Sequence, residues 1–151
     1  MHVIITTDGS KQSLQAARYL RSLADPDTIT SVGVVAVVSP MAAVPFATEI
    51  SDRTDIEKMS FRKAAEAAAA EVAAELTGWG PKITTHVRSG TPATEIVKAA
   101  KAKDAGLIVV ASRSSRTEAA LLGSVAHRVL NHATCPVLVV HPTKSKKRRT
   151  T

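Results

Sequence analysis

Five apolar runs alternate with four stretches of helical periodicity along this chain, and few folds accept that rhythm. The runs cover residues 2–7, 29–38, 82–88, 106–111 and 136–141, and the helical patterns about 10–24, 55–76, 91–103 and 118–132. Strict β-α alternation predicts an α/β domain, an open parallel sheet with helices on both faces. The runs VIIT, VGVVAVV, LIVVA and VLVV are continuously apolar, as strands buried on both faces should be. The third run differs. Ile83, Thr85 and Val87 alternate with Thr84, His86 and Arg88, which suits an edge strand with one wetter face.

Local signals mark the helix ends. Ser10 follows Asp8-Gly9 and is the expected N-cap of the first helix. Thr91-Pro92 sets proline in a first helical turn, with Glu95 as the expected capping-box partner. Thr54 or Asp55 can cap the second helix, whose many alanines raise its helical propensity and let it pack close to a sheet. Gly78-Trp79-Gly80-Pro81 ends it, and Trp79 reads as a loop anchor over the core. The connection 39–54 is unusually long for a compact domain; its Met41, Val44, Phe46 and Ile50 imply that it packs against its own domain, a partner subunit or a ligand.

Composition narrows the function classes. With 151 residues the chain suits one domain with a single core. Aromatic residues make up only 3%, so Ala, Val, Leu and Ile must fill that core, and platforms for stacking single-stranded nucleic acid are nearly absent. The net charge of +7 misleads, because Lys144, Lys146, Lys147, Arg148 and Arg149 fall in the last eight residues. Setting those five aside leaves 15 basic against 13 acidic residues. Residues 1–143 are therefore expected to form the domain and 144–151 a basic, disordered tail. The first strand starts at residue 2, which is expected to leave no room for a signal peptide. No run approaches the roughly 18–20 apolar residues of a membrane span. The single cysteine excludes an internal disulfide. The expected location is the cytoplasm, with neither membrane nor nucleic acid as a partner.

In open parallel sheets ligands bind beyond the carboxyl ends of the strands, where the strand order reverses. With the first strand central, that place lies between Asp8 and Ala111-Ser112. Asp8 is a candidate for ribose, base or metal, and equally for a turn-forming carboxylate in Asp8-Gly9-Ser10. The stretch ASRSSRTEAALLGS at 111–124 offers Arg113, Arg116, four serines and the Gly123-Ser124 pair. Hydroxyls, guanidinium groups and free backbone N–H groups suit a phosphate, and they equally suit a polar loop before a helix.

Across residues 2–142 the chain resembles the universal stress proteins. The features that carry the resemblance are VIITTDGS, VVAVVSP, SGTPATEIVKAA, LIVVAS and LLGSVAHRVLNHATCPVLVV, in that order. The resemblance implies a flavodoxin-like, adenine nucleotide alpha hydrolase-like fold with five strands in the order 3-2-1-4-5. It also implies ATP or another adenine nucleotide as the ligand, with magnesium entering only with the nucleotide. Asp8 matches the residue that contacts the nucleoside, Val37 the second-strand residue against adenine, and Gly90 the glycine after the third strand. Gly123 and Ser124 match the end of the phosphate loop. Ala111 and Ser114 stand where the family's loop has glycines, and only eight residues separate Ser114 from Gly123, one fewer than the family's pattern. Ala111 is expected to crowd the ligand and to resist a left-handed backbone. Arg113 and Arg116 are expected to compensate by charge, leaving weak binding.

The last run supports a second function. An edge strand Val137-Leu138-Val139-Val140 is a flat apolar template that carries no charge, a form natural proteins seldom leave open. Antiparallel pairing with a second copy about a two-fold axis resolves this, as the resemblance also implies. Catalysis is less well supported. Nothing places Ser10 on a nucleophile elbow beside His127 or His132, and those histidines, five residues apart, fall on different helix faces. Cys135, before Pro136 and the last strand, reads as structural. The expected function is a non-catalytic homodimeric stress-response module that acts on an unidentified protein partner. A nucleotide-independent interaction module or a slow ATP hydrolase is the alternative.

Overall fold

The computed structural model describes residues 1–39, 51–113 and 122–142, with side chains from 59 onward in the second of these segments. The basic tail, most of the 39–54 connection, Ser114 and Arg116 lie outside the described residues.

Five strands form one sheet: β1 (His2–Thr7), β2 (Ser31–Val38), β3 (Lys82–Ser89), β4 (Leu107–Ala111) and β5 (Val137–Val140). They are all parallel, in the order β3-β2-β1-β4-β5. Four helices connect them: α1 (Lys11–Leu23), α2 (Ser51–Leu76), α3 (Pro92–Ala102) and α4 (Ser124–His132). The expected doubly covered α/β sheet and its strand order are therefore present, with β3 at one edge and β5 at the other.

Two apolar layers sandwich the sheet. On one face Val3, Ile5, Val32, Val34 and Val109 meet Ala16, Ala17 and Leu20 of α1 and Ala69, Val72 and Leu76 of α2. On the other Ile4, Val35, Ile108 and Val110 meet Ala93, Ile96 and Ala100 of α3 and Ala126 and Val129 of α4. Alternate residues of one strand serve opposite layers, the period-two rule of a pleated strand. Each fully buried aliphatic side chain contributes about 1.5–3 kcal/mol, which is how a core almost without aromatics holds. The buried stripe Ala69, Val72, Leu76 repeats at helical spacing, so small residues bring α2 close to the sheet. Trp79 packs half-buried against the same layer.

Four local expectations need correction. The second helix already runs from Ser51, so Thr54 and Asp55 lie inside it and neither caps it. The last helix starts at Ser124 and not at 118. Leu122 is not helical, and Gly123 is the N-cap with extended backbone (φ −62°, ψ 156°). The second strand starts at Ser31, because a short 3-10 turn, Pro26–Thr28, occupies the chain before it. The capping box at α3 does not form: Thr91 makes no side-chain cap bond. Glu95 stands four residues past the N-cap, one beyond the capping-box position, and Arg88 takes its carboxylate at 2.9 Å.

Candidate functional site

Connections leaving β1 and β2 pass to the α1/α2 face, while those leaving β3 and β4 pass to the α3/α4 face. The chain therefore parts between the carboxyl ends of β1 and β4, and a crevice opens where the sheet's order reverses. That crevice is a cleft of about 190 Å³. The end of β1 supplies Thr6, Thr7 and Asp8, and β2 supplies Val35 and Val37. The end of β4 supplies Val110, Ala111, Ser112 and Arg113; the start of α4 supplies Gly123, Ser124, Val125 and Ala126. Of the site residues read from the sequence, the cleft thus gathers Asp8, Val37, Ala111, Arg113, Gly123 and Ser124.

Asp8 is held by its own turn. Its Oδ1 accepts from the Ser10 amide at 2.9 Å and from the Ser13 hydroxyl at 2.9 Å. The Ser10 hydroxyl in turn caps α1, accepting from the Ser13 amide at 3.3 Å. Ser13, 3% exposed, also accepts from the Asp8 amide at 3.3 Å. Desolvation pushes the Asp8 carboxyl up, but these hydrogen bonds outweigh it and hold the group below the usual carboxylate range. Turn former and cleft wall are therefore one residue, with Oδ1 serving the turn. Ser13 lay outside the sequence reading, although its spacing from Asp8 and Ser10 is that of a cap pattern.

Val37 lies half-buried on the α3/α4 side, in register with Arg88 of β3. Gly90 is not part of the cleft wall. Its backbone sits at φ +147°, and its amide donates to Val38 O at 3.0 Å. A Cβ there would stand 2.8 Å from Glu95 Cγ. Gly90 thus lets Glu95 lie under the β3–α3 turn and receive Arg88 Nε, with Lys98 Nζ at 3.6 Å. The Arg88 hydrogen bond, against an opposing desolvation, keeps the Glu95 carboxyl below its ordinary value.

At the other end, Ala111 is a regular β4 residue paired with Val140, and its side chain packs on the α1/α2 layer. Its backbone is extended, so the left-handed conformation expected to be costly at this position does not arise. Asp104 is the one residue other than glycine with positive φ among the described residues. Gly123 needs its missing side chain for another reason: a Cβ would lie 3.0 Å from Ser112 O and 3.3 Å from Arg113 Cα. Its amide donates to Ser112 O at 2.6 Å, stapling the start of α4 to the end of β4.

Ser112 was counted among the loop serines but given no role. It is 1% exposed, it lines the cleft, and its Oγ has no hydrogen-bond partner among the described residues. A buried hydroxyl left unpaired is costly, so its presence is informative. Its signal in the sequence is its phase, since Ser112 continues the row Ile108, Val110 toward α4. Beside it, α4 begins with no side-chain cap bond and no acid in its first turn. The amides of Ser124, Val125 and Ala126 have no intrahelical carbonyl to meet. This cluster of hydroxyl, amides and helix dipole suits an anion.

A second hollow of about 570 Å³ lies across β1 and β2 against α2, and shares Thr7, Asp8 and Val37 with the first. Its wall is largely apolar, with Ala36, Val38, Phe61 and the alanines of α2, and its charged groups, Asp8 and Glu71, are both acidic, so it offers an anion little. Elsewhere Cys135 packs half-buried against the α3/α4 layer, where burial pushes its thiol up. His127 and His132 are both exposed on α4. No group of three potential metal ligands occurs among the described residues, and no helix there is long and apolar enough to cross a membrane.

Comparison with known proteins gives consistent findings. The model of the universal stress protein family matches residues 1–141. Universal stress protein MJ0531 of Methanocaldococcus jannaschii is 35% identical over 146 residues, spanning 95% of this chain and 84% of that protein. Among solved structures, that of hypothetical protein MJ0577 superposes with a TM-score of 0.82 at 23% identity, covering 95% and 97% of the two chains. A universal stress protein solved in complex with cAMP superposes with a TM-score of 0.61 at 24% identity, covering 95% and 98%.

Proposed function

Because this chain belongs to the universal stress protein family, we propose that it is a non-catalytic, homodimeric stress-response module whose β1/β4 cleft binds an adenine nucleotide weakly. The observation that supports the binding role is the convergence in one cleft of Asp8, the Ser112 hydroxyl, unpaired among the described residues, and the first-turn amides of α4. In this reading Val37 lies against the base, Asp8 meets the ribose or base through the carboxylate oxygen its turn leaves over, and the start of α4 meets phosphate. Magnesium enters only with the nucleotide's phosphates. A structurally similar family member solved with cAMP makes an adenine nucleotide a reasonable ligand class to test.

The non-catalytic part rests on the chemistry of Asp8. A carboxylate stabilised by several hydrogen bonds is a weak general base near neutral pH. In this reading the nucleotide biases the protein toward or away from a protein partner, the dimer forms through β5, and the place of action is the cytoplasm, where Cys135 stays a thiol.

Isothermal titration calorimetry with ATP and magnesium tests the binding role. Saturable heat at micromolar to millimolar nucleotide is expected. Asp8→Asn, which keeps an Oδ1 acceptor for Ser10 and Ser13, should weaken binding about tenfold. Absence of heat at millimolar nucleotide would sink the reading.

A further inference from the structure

We propose that the outer edge of β3 is a docking site for a protein partner, which lays an extended segment with acidic residues at alternate positions beside it as a sixth strand. No residue of β3 lines the β1/β4 cleft, so this surface stands whether or not nucleotide binds.

The edge is open and regular. β3 runs for eight residues, against four in β5, and neither proline nor bulge interrupts its register with β2. Lys82 and Gly90 both donate their amides toward β2, to Thr30 O at 3.3 Å and to Val38 O at 3.0 Å. Backbone groups alternate in direction along a strand. The even-numbered residues therefore bond inward, and Ile83, Thr85, Val87 and Ser89 turn their N–H and C=O outward. Among the described residues no strand meets them. Natural edges are commonly blunted by short length, a bulge or a proline, and β3 has none of these.

Charge decides what can pair there. Ile83 packs on the α1/α2 layer, so Lys82, Thr84, His86 and Arg88 share the opposite face. That row carries no acid. Glu95, the carboxylate of α3 beside it, already faces two cations, Arg88 Nε at 2.9 Å and Lys98 Nζ at 3.6 Å. Lys82, Arg88 and Lys98 thus stand against one acid. A second copy of this strand brings no acid to the row, and an antiparallel pair centred on Thr85 sets each Lys82 opposite an Arg88. Like charges directly opposite destabilise a pair of strands, whereas opposite charges support it. An acidic row is the match.

The basic side chains also leave room for a backbone. Glu95 draws Arg88 toward α3, and His86 Nε2 lies along its own strand, 3.1 Å from Thr84 Oγ1. On the other face Ile83, Thr85 and Val87 suit apolar or β-branched neighbours. The partner segment therefore alternates acidic residues with residues such as valine or threonine.

Fluorescence anisotropy of the full chain with a labelled peptide of about eight residues, alternating glutamate and threonine, tests this against a lysine–threonine peptide. The glutamate peptide should bind saturably, at least about tenfold tighter than the lysine peptide, and more weakly as salt rises. Thr85→Pro removes one outward N–H and no bond to β2. It should leave Tm within a few degrees of the parent and weaken the glutamate peptide about tenfold or more. An amide ¹H–¹⁵N titration of the parent chain depends on no variant, and its largest shifts should fall on Ile83, Thr85, Val87 and Ser89. No binding of the glutamate peptide at millimolar concentration, equal binding of the two peptides, or a folded Thr85→Pro with affinity intact would overturn the docking edge. So would amide shifts confined to β5, and each of these leaves the nucleotide cleft standing.

Discussion

The two ends of β1 carry ionisable side chains with opposite assignments. At the carboxyl end, hydrogen bonds hold Asp8 as a carboxylate. At the amino end, His2 is held neutral. Its Nδ1 shares a hydrogen bond with Ser31 Oγ at 2.6 Å, and its Nε2 is buried beside Gly33 with no partner among the described residues. Burial depresses its pKa from 6.5, and the nearby charges of Lys103, His86 and the amino terminus press the same way. The unfolded chain therefore takes up this proton first. The stability that neutral His2 contributes is complete above about pH 6.5 and is lost as pH falls from there through the folded value. Urea unfolding at pH 7 and pH 5.5 should show a lower midpoint at the acid value. His2→Asn, which keeps a partner for Ser31 but does not titrate, should reduce that difference; an unchanged difference would rule His2 out. Residue roles that rest on near neighbours in the chain were readable from sequence, as with Asp8, Ser10 and the first helix cap. Those set by distant neighbours were not. Ser112 shows its hydroxyl, unpaired among the described residues, only once α4 covers it, and Glu95 turns to Arg88 only once β3 lies beside α3.

Elements were legible where burial enforces a pattern. Continuous apolar runs gave away β1, β2, β4 and β5, because a strand covered on both faces has no polar phase. The mixed run at β3 marked an edge, which is where it lies. The start of α4 was misread because the apolar pattern of 118–122 continues helical spacing, while the bond from Gly123 to Ser112 sets the first turn at Ser124. At the opposite edge, β5 alternates between the two layers, with Leu138 and Val140 on one and Val137 and Val139 on the other. Val137, Leu138 and Val139 remain only half-buried in the single chain. Antiparallel pairing with the same strand of a second copy would cover this edge. Val139→Lys places a charge in that pairing, so analytical ultracentrifugation should find monomer, or the variant should be insoluble. A soluble Val139→Lys dimer as tight as the parent would argue that the copies meet elsewhere.

At the scale of the whole molecule, β-α alternation accounts for the layers and the order of the sheet accounts for the cleft. Once β1 lies beside β4 with their connections on opposite faces, a crevice at Asp8 and Ser112 is unavoidable. What fills it depends on few groups: an acidic turn at one end, and a hydroxyl with an uncapped helix at the other. The place of the cleft was therefore legible from sequence, but the reason for the nearby glycines was not. Gly123 makes room for a strand end, and Gly90 makes room for a neighbouring carboxylate. The larger hollow beside α2 is the natural competitor as a binding place, and its largely apolar wall with two acids predicts that a phosphate ignores it. The most direct test is an amide ¹H–¹⁵N NMR titration of the full chain with AMP. Shift changes should concentrate at Asp8, Ser112, Ser124, Val125 and Ala126. No change at millimolar AMP, or changes confined to Ala64, Ala67 and Ala68 on the α2 side, would contradict a nucleotide site at the β1/β4 cleft.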